Sequence, residues 1–167
     1  MNYQIINSFI NKLDPELAHS LAIQFLKNFY IPLFPSKDDE ILKTTVLGKE
    51  FLNPIGLAAG FDKNAEVYDK MLALGFGFAE VGTITPKPQE GNLKPRVFRL
   101  MEDEAIINRL GFPNQGLAKI KSRIETKKAE GILGINIGPN KDSTSRIDDY
   151  VESVSYTHLT LPTNREV

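Results

Sequence analysis

The stretch Gly75-Phe76-Gly77-Phe78-Ala79-Glu80-Val81-Gly82-Thr83-Ile84-Thr85-Pro86 decides the fold class. Residues 78–83 have the length of one strand, with glycines before them and a Thr-Pro stop after them. Upstream, Ile55-Gly56-Leu57-Ala58-Ala59 reads as a buried strand that ends at Gly60, and 65–74 is helical. Downstream, 115–129 is helical, 132–137 is a third strand, and another helix starts at Ser145. Strands alternating with helices are the pattern of parallel βα units with both sheet faces covered, so the fold class is α/β. Units with polar residues at their strand ends match the opening of a (β/α)8 TIM barrel, which needs ~250 residues. The chain has 167. The sequence therefore predicts either the first part of such a barrel or a small open sheet.

Other segments surround these units. Residues 44–47 and 50–52 form a small predicted hairpin about Gly48-Lys49, and 96–100 with 105–108 form another, inserted after the 78–83 strand. The head, 1–36, reads as an amphipathic helical pair. Ile5, Ile6, Phe9, Ile10 and Leu13 lie at helical spacing, and Asp14-Pro15 restarts the helix with an N-cap and a first-turn proline. Leu17, Leu21, Phe25 and Phe29 then share one stripe, widened by Ala18, Ala22 and Leu26, before Pro32 and Pro35 end it. The barrel part covers 37–153. At Val154 the pattern breaks, and 154–167 resembles a translated sequencing adapter, so the reading treats it as a non-native tail that interrupts the last helix.

Composition excludes several function classes. Charged residues make up 25% and the net charge is −1, which leaves no basic footprint for nucleic acid. Cysteine is absent, so disulfides and thiolate sites drop out. Neither a metal-ligand cluster nor a Walker motif nor a GxSxG elbow occurs. No basic leader with a long apolar run is apparent, and no stretch reaches the ~20 apolar residues of a membrane span.

The strand ends carry the candidate chemistry. Ala58-Ala59-Gly60-Phe61-Asp62-Lys63 places small residues where a strand meets its loop, so backbone can lie flat against a planar ligand. Lys63 could set a positive charge at that ligand's edge, although a tight turn with a solvated lysine fits the same residues. Gly82-Thr83 offers a hydroxyl at the next strand end. Asn136, in Gly134-Ile135-Asn136-Ile137-Gly138, is an amide in an apolar run and needs partners. Asn108-Arg109-Leu110-Gly111-Phe112 suits a small, planar, carboxylated heterocycle; a loop with a capping Asn114 and a surface arginine is the alternative. His19, beside Leu17 and Ala18, reads as a core or interface residue rather than a catalyst. Agreement among the strand ends on one rim favours a ligand site.

With these residues in place, the sequence resembles the quinone-dependent (class 2) dihydroorotate dehydrogenases. The resemblance runs through Leu13-Asp14-Pro15-Glu16 with Ala18-His19, Asn53-Pro54 to Lys63, and Gly75 to Pro86. It continues through Gly91-Asn92-Leu93-Lys94-Pro95-Arg96-Val97-Phe98-Arg99-Leu100, Ile107 to Phe112, and Gly134 to Lys141, and it covers essentially 1–153. It implies that Ala59, Gly60, Phe61, Asp62 and Lys63 line the isoalloxazine of FMN, with Lys63 near N1 and also reaching substrate. Thr83 and Asn136 would hydrogen-bond the flavin, and Asn108, Arg109, Leu110, Gly111 and Phe112 would bind dihydroorotate. A serine base takes the C5 proton in this family, a hydride passes from C6 to the flavin, and ubiquinone or menaquinone reoxidises it.

The head would then lie in the membrane interface, lead a quinone toward the flavin and place the protein peripherally on the cytoplasmic face of a bacterial-type cell membrane. The serine base, a second asparagine and the late phosphate-binding loops belong beyond Ser153, so the chain as written is expected to lack catalytic activity. Soluble FMN-dependent dihydroorotate dehydrogenases, which use a cysteine base, and a non-catalytic half-barrel interaction module are the alternatives.

Overall fold

The structure is a computed structural model that describes residues 12–28, 38–127 and 130–160, with side chains described as far as Ser155. The first predicted head helix, Phe29 with its flanking prolines, and the end of the tail lie outside these residues.

Helix α1, Pro15–Asn28, begins where the Asp-Pro signal places it. Asp14 Oδ1 accepts from the backbone N–H of Glu16 at 3.0 Å and of Leu17 at 2.9 Å. These bonds fill first-turn donors that have no partner inside the helix. The predicted stripe is not the packed face, because Leu17, Leu21 and Phe25 remain 49, 51 and 54% exposed. Ile23, at 6%, is the residue that α1 buries.

A 3-10 turn, Glu40–Leu42, leads into strands β1, Thr44–Val46, and β2, Lys49–Phe51, which pair antiparallel. Their turn falls at Leu47-Gly48, both left-handed at φ 50° and 74°, one residue earlier than predicted. Strand β3 is only Gly56–Leu57 and half-buried, not the buried 55–59 run. It stops because the Gly60 N–H turns to Gly82 O at 2.9 Å instead of continuing the ladder.

Helix α2, Tyr68–Ala73, starts later than the sequence predicts. Asp62 takes the N–H groups of Glu66 and Val67, each at 2.7 Å, while Ala65 sits at φ 53°, so a closed loop occupies the first predicted turn. Strand β4, Phe78–Ile84, pairs parallel with β3 on one side and with β7, Ile132–Ile137, on the other. Between β4 and β7 lie the predicted hairpin, β5 Val97–Leu100 with β6 Ala105–Asn108, and helix α3, Leu117–Thr126.

Helices cover one face of the parallel sheet rather than both. Ala79, Val81 and Ile84 of β4 are buried against Ala65, Tyr68, Leu117 and Ile120, and Leu57, Leu133 and Ile135 pack alongside. Full burial of Val81, Ile84 and Ile120 contributes roughly 1.5–3 kcal/mol each. The intervening β4 residues Phe78, Glu80 and Thr83 are half-buried. Helix α4, Arg146–Thr160, does not break at Val154 as predicted. Ser155 donates its hydroxyl to Val151 O at 2.8 Å, a bond that fits on continuing helix.

Candidate functional site

Parallel pairing places the carboxyl ends of β3, β4 and β7 side by side, and a cleft of about 500 Å³ opens there. Ala59, Gly60 and Lys63 come from the loop after β3, Gly82 and Thr83 from the end of β4, and Asn136 from the end of β7. Asn108 at the end of β6 and Leu110, Gly111 and Phe112 from the loop after it close the cleft. The cleft is of the size that ordinarily holds a cofactor or small ligand.

The loop after β3 is stitched to β4, because Gly82 N–H also donates to Asp62 O at 3.1 Å. Gly82 is held at φ 111°, and a Cβ there would lie 2.4 Å from Asn136 O, so only glycine allows β4 and β7 to approach this closely. Gly60, at φ 106°, has open space where a Cβ would stand. It forms a flat floor suited to a planar ring.

The amide predicted to need partners has them. Thr83 Oγ1 donates to Asn136 Oδ1 at 2.6 Å, and Asn136 Nδ2 donates to Glu80 Oε1 at 3.1 Å. Glu80 was not anticipated. It fixes which way the Asn136 amide faces, leaving one Nδ2 hydrogen for a ligand. Lys63 is half-buried, and its ammonium makes no hydrogen bond or ion pair to any described residue. Burial holds its pKa below the ordinary lysine value, with nearby Glu16 opposing. A desolvated cation beside a flat floor and a Thr–Asn pair suits a planar, electron-accepting ring whose edge takes negative charge.

Three expected site residues fall elsewhere. Asp62 is 1% exposed, and both of its oxygens are engaged by loop N–H groups, so its side chain holds the loop rather than the cleft. Phe61 lines a different cleft, described below, and meets His19 edge-on with ring centroids 5.5 Å apart. Arg109 lines neither cleft and donates Nη2 to Pro95 O at 3.2 Å. Asn114 does not take the capping role weighed for it: Gly116 is the N-cap of α3 and has no side-chain cap, and Asn114 Oδ1 accepts from Gly116 N–H at 2.8 Å inside the turn ahead of the helix.

The second cleft, about 760 Å³, lies between α1 and the rim. Leu17, His19 and Ile23 form one wall, and Phe61, Arg96 and Ile106 belong to the other. Lys63, Asn108, Leu110 and Pro113 line both clefts and so form the partition between them. Here α1 is fastened by polar contacts. His19 Nε2 donates to Phe61 O at 2.6 Å, and burial holds the imidazole below its ordinary pKa although that bond opposes the shift. Arg96, 8% exposed, forks onto Glu16 with Nε at 3.1 Å from each oxygen and Nη2 at 2.7 Å from Oε1. Hydrogen bonding to this guanidinium holds Glu16 below the usual carboxylate range, although desolvation opposes it. Glu16 and Arg96 lie 80 residues apart, and no local pattern could have paired them.

A parallel α/β sheet with polar groups from several strand ends around one cleft defines a ligand-binding α/β fold of the enzyme type. The family profile described as Dihydroorotate dehydrogenase matches residues 41–162. The chain is 53% identical over 142 residues to a dihydroorotate dehydrogenase (quinone) of Rhizobium rhizogenes, covering 85% of this chain and 39% of the relative. It is 56% identical over 142 residues to the protein of that name from Allorhizobium ampelinum, covering 84% and 39%. A dihydroorotate dehydrogenase crystal structure from Eimeria tenella, in complex with ferulenol, superposes with a TM-score of 0.79 at 47% identity, covering 86% of this chain and 40% of that one. The chain belongs to the dihydroorotate dehydrogenase family. It spans about two fifths of the length of the curated relatives it matches.

Proposed function

We propose that residues 1–153 are the N-terminal part of a quinone-dependent dihydroorotate dehydrogenase that oxidises dihydroorotate to orotate in pyrimidine biosynthesis, with FMN as its cofactor. Residues 1–36 are then a membrane and quinone-access segment, 37–153 the first part of a (β/α)8 barrel, and 154–167 a non-native tail. The observation that carries this reading is the convergence of Ala59, Gly60, Lys63, Thr83, Asn136 and the 108–112 loop on one strand-end cleft.

FMN, when bound, supplies a two-electron acceptor. Gly60 and Ala59 form the floor for its ring, and Thr83 and the free Asn136 Nδ2 hydrogen offer it hydrogen bonds. Lys63 places positive charge at its edge, where its own desolvation strengthens the attraction. Asn108 and the loop N–H groups orient a carboxylated substrate, and the 53% exposed Phe112 ring is placed to shut water out at the mouth. The proton-accepting base belongs to sequence beyond Ser153, and for that reason the 167-residue chain is expected not to turn over.

The larger cleft supports a quinone acceptor. It has apolar walls from Leu17, Ile23 and Ile106, and only the Lys63–Asn108 partition separates it from the strand-end cleft. The exposed Leu21 and Phe25 of α1, which line neither cleft, support peripheral attachment to the cytoplasmic face of the membrane. No described helix is long and apolar enough to cross one.

The test is to express the reading frame that continues past Ser153. Near-equimolar FMN released on denaturation, and dihydroorotate-dependent reduction of a short-chain ubiquinone analogue, are the expected results. Turnover with fumarate or NAD instead of the quinone would move the protein to the soluble class, and absence of both flavin and turnover would overturn the reading.

A further inference from the structure

The loop that closes the strand-end cleft holds an unfavourable backbone conformation that its own packing does not explain. Phe112 lies at φ 52°, a region that an L side chain occupies only when its surroundings impose it. Its ring is 53% exposed, so burial does not impose it. Hydrogen bonds to the loop carbonyls do: Asn92 holds those of Arg109 and Leu110, Asn114 Nδ2 donates to Phe112 O at 2.9 Å, and Gln89 reaches both Gly111 and Phe112.

Gln89 follows β4 and bridges antiparallel to Asn114 through N–H donations of 3.1 and 3.0 Å. Its side-chain Nε2 donates to Gly111 O at 3.1 Å and to Phe112 O at 3.2 Å. Its Oε1 accepts from Asn140 Nδ2 at 3.1 Å and from Lys141 N at 3.0 Å. The carbonyls of residues 111 and 112 can only accept and the Lys141 N–H can only donate, so these partners fix the amide orientation. One carboxamide thus spans the loop after β6 and the turn after β7, while Gln89 itself does not line the strand-end cleft.

We propose that Gln89 is a positioning residue of the substrate loop, the one that links it to the turn after β7. It ties Gly111-Phe112 to Asn140-Lys141, so the two sides of the cleft are in register before substrate arrives. This rests on reading the cleft as the dihydroorotate site. Without the two Nε2 donors the loop samples other conformations, and apparent affinity falls in proportion to the fraction that stays competent.

The experiment uses the full-length protein with FMN bound and compares it with Gln89→Glu and Gln89→Met. Gln89→Glu keeps size and acceptors but turns an oxygen toward two carbonyls; Gln89→Met keeps size without charge. Both should raise the dihydroorotate KM and the orotate Kd, read from the flavin absorbance change, by about tenfold, the effect of losing two neutral hydrogen bonds. The kcat at saturating acceptor should change by less than about twofold, as expected when only uniform binding is lost; the KM for a ubiquinone analogue is no control, because Gln89 also lines the larger cleft. Amide exchange at Leu110–Phe112 should quicken about tenfold without ligand, by the same two lost bonds. Unchanged exchange and unchanged orotate affinity in both variants would overturn the proposal. So would falling Tm, flavin content and kcat at constant KM, which would mark a general structural role. If the parent binds neither FMN nor orotate, the functional reading fails, and exchange at 110–112 still decides whether Gln89 holds the loop.

Discussion

Replacing Arg96 by methionine should release α1 from the rim while leaving the parallel sheet folded. The guanidinium is 8% exposed and forks onto Glu16, and Nη1 also donates to Glu90 O at 2.6 Å and Asn92 O at 2.9 Å. Breaking a buried ion pair by removing one partner costs about 3–5 kcal/mol. Here the Glu16 side chain keeps 22% exposure and has Lys94 Nζ at 3.6 Å, so part of its charge is compensated after the loss. The expected cost is therefore lower, about 2–4 kcal/mol. Methionine preserves most of the stem volume, so little of the effect comes from packing.

The assay is amide exchange over α1, read against the exchange of β4 and β7. Protection of α1 should fall by roughly 30-fold or more, the lower end of that free-energy range, while the sheet amides change far less. A double-mutant cycle with Glu16→Gln should give a coupling of about 1–3 kcal/mol. Arg96→Lys, which keeps charge but loses the fork, should recover only part of the protection. Unchanged α1 exchange in Arg96→Met, or a coupling near zero, would refute the clamp.

Acid should weaken the same docking. The His19 pKa is lowered from 6.5 and that of Glu16 from 4.5, so both groups bind fewer protons in the docked state. Stability from His19 is present above pH 6.5 and lost as pH falls below it, and that from Glu16 is lost below pH 4.5; a His19 NMR titration midpoint above 6.5 would contradict this. Lys63→Met should stabilise the flavin-free protein by about 0.5–1 kcal/mol, because a desolvated ammonium that bonds to no described residue is removed, yet abolish flavin retention. Denaturant midpoints and released FMN measure the two effects, and a lower midpoint would count against an uncompensated charge. Gly82→Ala should cost roughly 2–4 kcal/mol in denaturant unfolding, since neither the strained φ nor the backbone oxygen 2.4 Å from the new Cβ can give way. An unaffected midpoint would mean that β4 and β7 separate freely there.

What was legible in the sequence is what local chemistry decides. Asp14 caps residues two and three positions on, β7 spans 132–137 as its apolar run indicates, and the β5–β6 hairpin falls within a residue of its expected ends. The strand-end cleft was legible for a topological reason. Parallel strands with helical crossovers bring their carboxyl ends together, so Thr83 and Asn136 meet although 53 residues separate them. The errors arise where a side chain overrides a local pattern. Asp62 binds the N–H groups of Glu66 and Val67 and closes a loop in which Ala65 takes a φ of 53° that no α-helix allows, and for the same reason its side chain is withdrawn from the cleft where it was expected.

The fastening groups were not legible at all. Gln89, Glu80 and the Glu16–Arg96 fork are polar residues whose partners lie 22 to 80 residues away, and nothing in their flanks distinguishes them from solvated side chains. They share a physical role. Each holds the orientation of a group that faces a cleft, whether the Asn136 amide, the Phe112 loop or the wall formed by α1. Strand-end residues can be found by asking which side chains a sheet brings together. Their positioning partners can be found only by asking which donors and acceptors those side chains leave to be satisfied.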